Sequence, residues 1–396
     1  MRRTCMRTAT IAAATSAGLA VLALAGSASA SSTAGGNAPR QQFQVRQVLG
    51  GARLSHTFRP AGSSTPMTEP LSSPDDVTML GHNLFVTFQN GVGPQGQPSP
   101  DGNTDSTIVE FTAHGAVIDQ WDLAGKCDGL TADPQRGVVI ATINEDANSH
   151  IDTIQPNAPA TRQVQVYAYN EPLPHFGGTD AISIYHGEVL VSASAPGTTG
   201  ASAPQPTYPA VYSVTFDAVT HIATVTPLFY DEDPAMNVTA GPNLGMVAPL
   251  ALTDPDSNEV VPFIAPRFGG DFMLTSQGDQ EQIFVLPNYG GGSGPGLAVL
   301  DLAISVDDTA WATGPGRLFG ASTSTDTVDE ITGPFRSGQT YVAVTPCDAN
   351  DAPATCSGPG FPPNYLGTLN PWTGAITAVP LTGPSFEPQG MIFAGR

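Results

Sequence analysis

Three stretches of this chain begin alike, and their leading acids are 52 residues apart. "PDDVTMLGHNLFVTFQNG" carries Asp76, "CDGLTADPQRGVVIATINED" carries Asp128, and "TDAISIYHGEVLVSASAPG" carries Asp180. Each reads as an acid, a short apolar run, a polar turn, a second β-rich run, and then small or polar residues. Fainter versions carry Asp271 in "GDFMLTSQGDQEQIFVLP", Asp308 in "VDDTAWATGPGRLFGASTS" and Glu387 in "EPQGMIFAG". Alternation of apolar and polar positions marks strands with one buried face. A unit of roughly 40–55 residues made of such strands predicts a β-propeller, each unit supplying one four-stranded blade. In the first unit "DVTML", "LFVTFQ", "STIVEFT" and "AVIDQWDL" read as the four strands, with a hairpin turn at "AHG".

The fold class is therefore all-β. Six acid-headed starts predict six blades, with seven as the alternative count. The sixth start lies close to the end of the chain, so "FQVRQVLGGARLSHTF" near the N-terminus is expected to supply its missing strands. Strands from both termini would then close the ring and leave no sheet edge open. The wider gaps after Asp180 and Asp308 must hold insertions. Gly and Pro, 43 and 37 of the 396 residues, suit many short strands joined by turns and argue against long helices.

Arg2, Arg3 and Arg7 precede the apolar "IAAATSAGLAVLALAG" and the small-residue pattern Ala28-Ser29-Ala30. Residues 1–30 are thus expected to be a signal peptide, 31–42 a disordered lead-in, and 43–396 a single propeller domain. The apolar run is short for a membrane span, and Ser27 stands where a lipoprotein would need Cys. The expectation is a secreted monomer without a membrane anchor. Cleavage leaves 11 basic residues, Lys126 the only lysine among them, against 35 acids, a net charge of −24. Nucleic acid and anionic lipid are disfavoured as partners, because both are bound through clustered Lys and Arg. A glycan, a peptide or a small molecule remains. Cys347 and Cys356 bracket "DANDAPAT" and are expected to form a disulfide, while Cys127 reads as a buried free thiol.

This blade pattern resembles the SMP-30/gluconolactonase-like, NHL-repeat and YncE-like class of secreted propellers, across nearly the whole mature chain. In that class the innermost strand of each blade lines the channel and starts near one rim. The resemblance implies a ring of Asp76, Asp128, Asp180, Asp271, Asp308 and Glu387 around one mouth. Asn90, Asn144, Glu145, Asp146, Asn148, Ser194 and Asp326 would share that face. "SVDDTAW" is also similar to the acid-rich strands of β-propeller phytases, an activity the lysine-poor composition argues against.

Clustered carboxylates must protonate, separate or hold a cation. Hard oxygen donors at this density suit calcium, so Ca²⁺ is the expected cofactor, with those six acids, Glu145 and Asp146 as candidate ligands. The alternative is that each acid caps backbone N–H groups of its own turn. "DGNTD" (Asp101, Asn103, Asp105) and "DPDSN" (Asp254, Asp256, Asn258) also have calcium-loop spacing, without the Gly and Glu of an EF-hand. No G-x-S-x-G, H-E-x-x-H or P-loop motif occurs. The expected function is ligand or partner binding on the carboxylate face. The alternative is a calcium-dependent hydrolase, lactonase or lyase, with His150, His175 or Glu145 as base. Trp121, Trp311 and Trp372 are expected in the inter-blade core.

Overall fold

The alternating segments pair as antiparallel meanders. The structure, a computed structural model, describes residues 42–395 apart from 61, 175–176, 195–206, 288–295, 351, 353 and 358–361. The expected signal peptide, the lead-in up to residue 41 and His175 therefore lie outside the described residues. The described part belongs to the compact unit Gln41–Arg396, in which the helical pieces are short 3-10 turns. No described helix is long and apolar enough to cross a membrane.

Pro74–Leu80, Asn83–Phe88, Asp105–Thr112 and Val117–Ala124 form the first sheet, strand by strand as the sequence reads. The second is Cys127–Asp133, Val138–Ile143, His150–Ile154 and Val164–Tyr169. The third is Thr179–Tyr185, Glu188–Ala193, Pro209–Asp217 and Ile222–Tyr230. A short parallel contact, Ala168 with Ile222 and Tyr169 with Ala223, joins the second and third at their outer edges. The fourth begins with Pro255–Val260, followed by Phe272–Ser276, Glu281–Val285 and Leu297–Asp301. The insertion expected before it supplies the outer strands Pro234–Asn237 and Val247–Pro249.

The last two sheets cross. Val306–Trp311 pairs with Thr340–Val344, and Tyr365–Leu369 and Ile376–Ala378 follow outward. The segment between, Gly316–Ser322 and Thr327–Thr332, leaves for another sheet, where it lies between Met391–Gly395 and Phe43–Gly50. The sequence pattern instead keeps "GRLFGAS" with "VDDTAW". The reason for the departure is that Gly316–Ser322 is apolar on both faces. Leu318 packs with Val45, Phe386 and Met391, while Phe319 and Ala321 pack with Leu49 and Leu71. Such a strand must be central and covered on both sides. Strands from both ends of the chain thus share one sheet, but Ser55–Phe58 pairs with Met67–Pro70 in a separate hairpin instead of joining it.

Apolar clusters fill the spaces between neighbouring sheets. Phe85, Trp121, Leu130 and Ile143 lie between the first and second, and Ile140, Ile182, Val191 and Val214 between the second and third. Leu190, Phe229, Phe272 and Leu274 continue to the fourth. The result is a propeller-like array of face-packed sheets. Trp121 and Trp311 occupy these clusters as expected. Trp372 does not: it sits on the turn after Tyr365–Leu369 and is 49% exposed. Cys347 and Cys356 form a disulfide, and Cys127 is a buried free thiol.

Candidate functional site

One irregularity recurs in the strands that line the central cavity. In each of five, a single partner residue faces two residues. Asp75-Asp76 oppose Thr87, Asp128-Gly129 oppose Thr142, Asp180-Ala181 oppose Ser192, Asp256-Ser257 oppose Thr275, and Asp307-Asp308 oppose Ala343. These are β-bulges, which insert an extra residue and re-aim a side chain. The first residue of every one is Asp.

The five bulge aspartates line a cavity of about 380 Å³. Gln389 takes part from just before the Met391 strand, and Lys126, Glu145, Asp146, Asp254 and Asp348 from loops. The same five aspartates border a second cavity of about 240 Å³ beneath, walled by Val77, Leu130, Ile182, Val260 and Ile392. They form a carboxylate collar between a polar mouth and a more apolar channel.

The doublets divide the labour between neighbours. Asp75 and Asp307 line the polar mouth, whereas Asp76 and Asp308 do not. Asp76 accepts the N–H groups of Val77 at 2.6 Å and Leu130 at 2.7 Å. Asp308 accepts those of Thr309 at 2.6 Å and Met391 at 2.5 Å. These two acids fasten one lining strand to another, the capping role that an isolated acid beside a turn suggests.

Lys126, the chain's only lysine, sits in the mouth. Its Nζ contacts Glu145 and lies 3.4 Å from Asp128. Burial would depress the ammonium's pKa, but Asp128, Glu145 and Asp75 outweigh it and raise it. For Asp128 burial is likewise outweighed, by Lys126 and by hydrogen bonds from Glu145 and Asp75, and its pKa is lowered. Glu145 is pushed up to about 10 by burial and the Asp128 charge. One carboxylate of the pair is thus held ionised and its neighbour protonated.

The other collar acids are raised. Burial, then the charge of Asp128, lifts Asp75 and Asp180 well above the usual range. Burial with Asp307 and Asp180 does the same to Asp256, and burial with Asp308 brings Asp307 to about 8. One lysine does not neutralise this group, so the mouth either takes up protons or takes up a cation. Asp128, Glu145 and Asp180 each offer an oxygen within 4.8 Å of the others. Such a set of hard donors fits calcium, although Lys126 stands against two of the three.

Of the acids the sequence singled out, Asp128, Asp180, Glu145 and Asp146 are brought together in the mouth. Asp76 and Asp308 lie one residue past the bulge position. Asp271 precedes the second strand of its sheet and Glu387 lies two residues before Gln389; neither lines either cavity. Sequence reasoning left Asp75, Asp256 and Asp307 out of the ring and missed Asp348 and the pairing of Lys126, while Asp254 and Asp256 were singled out only as calcium-loop spacing in "DPDSN". A signal for the first three was present. Asp75 to Asp128 is 53 residues, and Asp256 to Asp307 is 51. Asp256 belongs to "DPDSN", whose spacing thus comes from the bulge, while Asp254 accepts the Gly278 N–H at 3.1 Å. "DGNTD" is a turn in which Asn103 accepts the Asp105 N–H at 2.9 Å.

Among the residues expected on the same face, Ser194 lines the mouth. Asn90 and Asn144 hold left-handed positions at φ 51 and φ 65, and Asn144 Oδ1 accepts the Lys126 N–H. Asp326 accepts the Ser73 N–H at 2.7 Å. His150 lines neither cavity; its Nε2 is 3.6 Å from the buried Asp152.

No family model matches the chain, and no curated protein matches it. Similar solved structures include a protein of unknown function from Bacteroides caccae, 10% identical with a TM-score of 0.43, covering 89% of this chain and 98% of that one. A Bacteroides fragilis protein, provisionally named a 6-phosphogluconolactonase, is 10% identical with a TM-score of 0.40 over 90% and 99% of the two chains. A Lactobacillus plantarum protein is 10% identical with a TM-score of 0.38 over 90% and 100%. Likenesses this distant assign no role to the acid-lined mouth.

Proposed function

We propose that the chain is an exported six-bladed propeller, closed by strands from both ends, whose acid-lined mouth binds a cation or a ligand bearing positive charge. The supporting observation is the placement of five aspartates at one bulge position in five strands, all facing one cavity. Repeating an acid at a position that buries it raises the cost of ionisation five times over. An entering cation removes that cost.

Ca²⁺ is the proposed ion, held through Asp128, Glu145 and Asp180. Lys126 competes for two of these carboxylates, so binding displaces or redirects the ammonium and releases the Glu145 proton. An organic cation of glycan, peptide or small-molecule origin would use the same collar. The test is calorimetric titration of EDTA-stripped protein with Ca²⁺ at neutral pH. Binding with proton release, abolished in the Asp128→Asn/Asp180→Asn double variant, supports the reading. No heat, or heat unchanged in that variant, overturns it.

A further inference from the structure

Away from the collar, His56 lies in the hairpin of Ser55–Phe58 and Met67–Pro70, directly opposite Glu69. Its side chain is 1% exposed. Nε2 is 2.9 Å from Glu69 Oε1 and Nδ1 is 3.5 Å from Asp122 Oδ1, while the ring stacks on Phe58. Asp122 lies in Val117–Ala124, the outermost strand of the first sheet. The imidazole is therefore wedged between a carboxylate of its own hairpin and one of the sheet.

Two further acids face this ring's partners. Burial and the neighbouring Asp101 raise the Glu69 pKa, and the Asp105 charge acts on both Asp122 and His56. No Lys or Arg is ion-paired with any of these four acids among the described residues. Nδ1 is buried without a hydrogen-bond partner. A neutral imidazole donates from one nitrogen only, leaving the other lone pair facing a carboxylate. An imidazolium donates from both.

We propose that protonated His56 is a clasp fastening the Ser55–Pro70 hairpin to the first sheet, and that loss of its proton opens the clasp. Gln120 Nε2 to Ser55 O, at 3.3 Å, and the buried Phe58 remain as weaker attachments. Opening uncovers an outer strand whose Val117 and Ile118 are already exposed. The direction follows from linkage. Burial lowers the His56 pKa, but the Asp122 and Glu69 carboxylates facing its two nitrogens outweigh it and raise it above 6.5. The clasp's contribution is complete below about 6.5 and is lost as pH rises through the folded value.

The test is hydrogen exchange of the intact chain between pH 5 and 9, corrected for intrinsic rates, with an NMR titration of the His56 ring. Protection over Ser55–Phe58 and Met67–Pro70 should fall by up to about tenfold per pH unit between about 6.5 and the folded His56 pKa and level off above it, while residues 105–112 stay protected. His56→Gln should remove the pH dependence. Asp122→Asn, which keeps the ring, should move opening to lower pH and covers the case in which His56→Gln does not fold. Flat protection in the wild type, a His56 pKa at or below 6.5, or no shift in Asp122→Asn overturns the proposal.

Discussion

Asp76 reaches out of its own sheet, and its Oδ2 accepts the backbone N–H of Leu130 in the next at 2.7 Å. Asp308 makes the corresponding bond to Met391. One residue earlier, Asp75 and Asp307 line the polar mouth instead. Adjacent acids thus hold the scaffold and form the site. Asp76→Ala should cost about 2 kcal/mol or more, because two N–H groups lose their acceptor, while Ca²⁺ affinity persists. Asp180→Asn should weaken Ca²⁺ binding with little loss of stability. Urea unfolding and calorimetry on the two variants separate these roles.

Lys126 is the mouth's own cation. Its replacement in Lys126→Met strands the buried Asp128 carboxylate, and removing one partner of such a pair typically costs about 3 kcal/mol. The loss should be largest at alkaline pH and should shrink when Ca²⁺ is added. Urea midpoints with and without Ca²⁺ measure both effects.

The pH dependence of the cation-free protein has a definite sign. The folded pKa of Asp307 is about 8 and that of Asp254 about 6, both raised chiefly by burial above an ordinary value of 3.8. The unfolded chain releases these protons first, so stability should fall as pH rises from about 4 to 8. His56 adds a loss in the same direction beginning near 6.5. Saturating Ca²⁺ should flatten the collar's share of the slope and leave that of His56. Melting temperatures over this range, with EDTA or with Ca²⁺, test the expectation.

Gln389 is a neutral member of the mouth's lining, its side chain hydrogen-bonded to Thr323. Gln389→Asp adds a carboxylate where five already crowd. Without Ca²⁺ its melting temperature at pH 8 should fall, and Ca²⁺ affinity should rise. Titration calorimetry beside a thermal scan gives both readings.

The Cys347–Cys356 disulfide closes a loop with a sequence separation of 9. Chain entropy assigns such a loop about 2–3 kcal/mol. Cys347→Ser/Cys356→Ser should lower stability by about that amount without altering Ca²⁺ affinity, which urea titration and calorimetry check.

The repeat was legible wherever a bulge carries a lone acid followed by apolar residues, as at Asp128 and Asp180. The doublets at 75–76 and 307–308 blurred the register by one residue, since composition does not say which acid faces the cavity. Asp256 was legible only as calcium-loop spacing because its strand, "PDSNEV", lacks the apolar run that follows the other acids. Asp271 was drawn in because "DFML" is the buried second strand and looks more like a strand start than the true one. At Glu387 the guiding pattern failed because the equivalent residue, Gln389, is not an acid. Lys126 could be read as rare but not as central, since its two partners meet it only through folding.

Arg46 meets Glu330 across a separation of 284 residues, in the sheet where Phe43–Gly50 lies against Thr327–Thr332. An early strand of the chain therefore waits for a hairpin made much later, and the Met391 strand completes that sheet later still. During synthesis the first strand has no native strand partner for most of the elongation time. Whatever keeps it from pairing wrongly in that interval must come from outside its own sheet, so the sheet that joins the most distant strands is also the longest kinetic exposure.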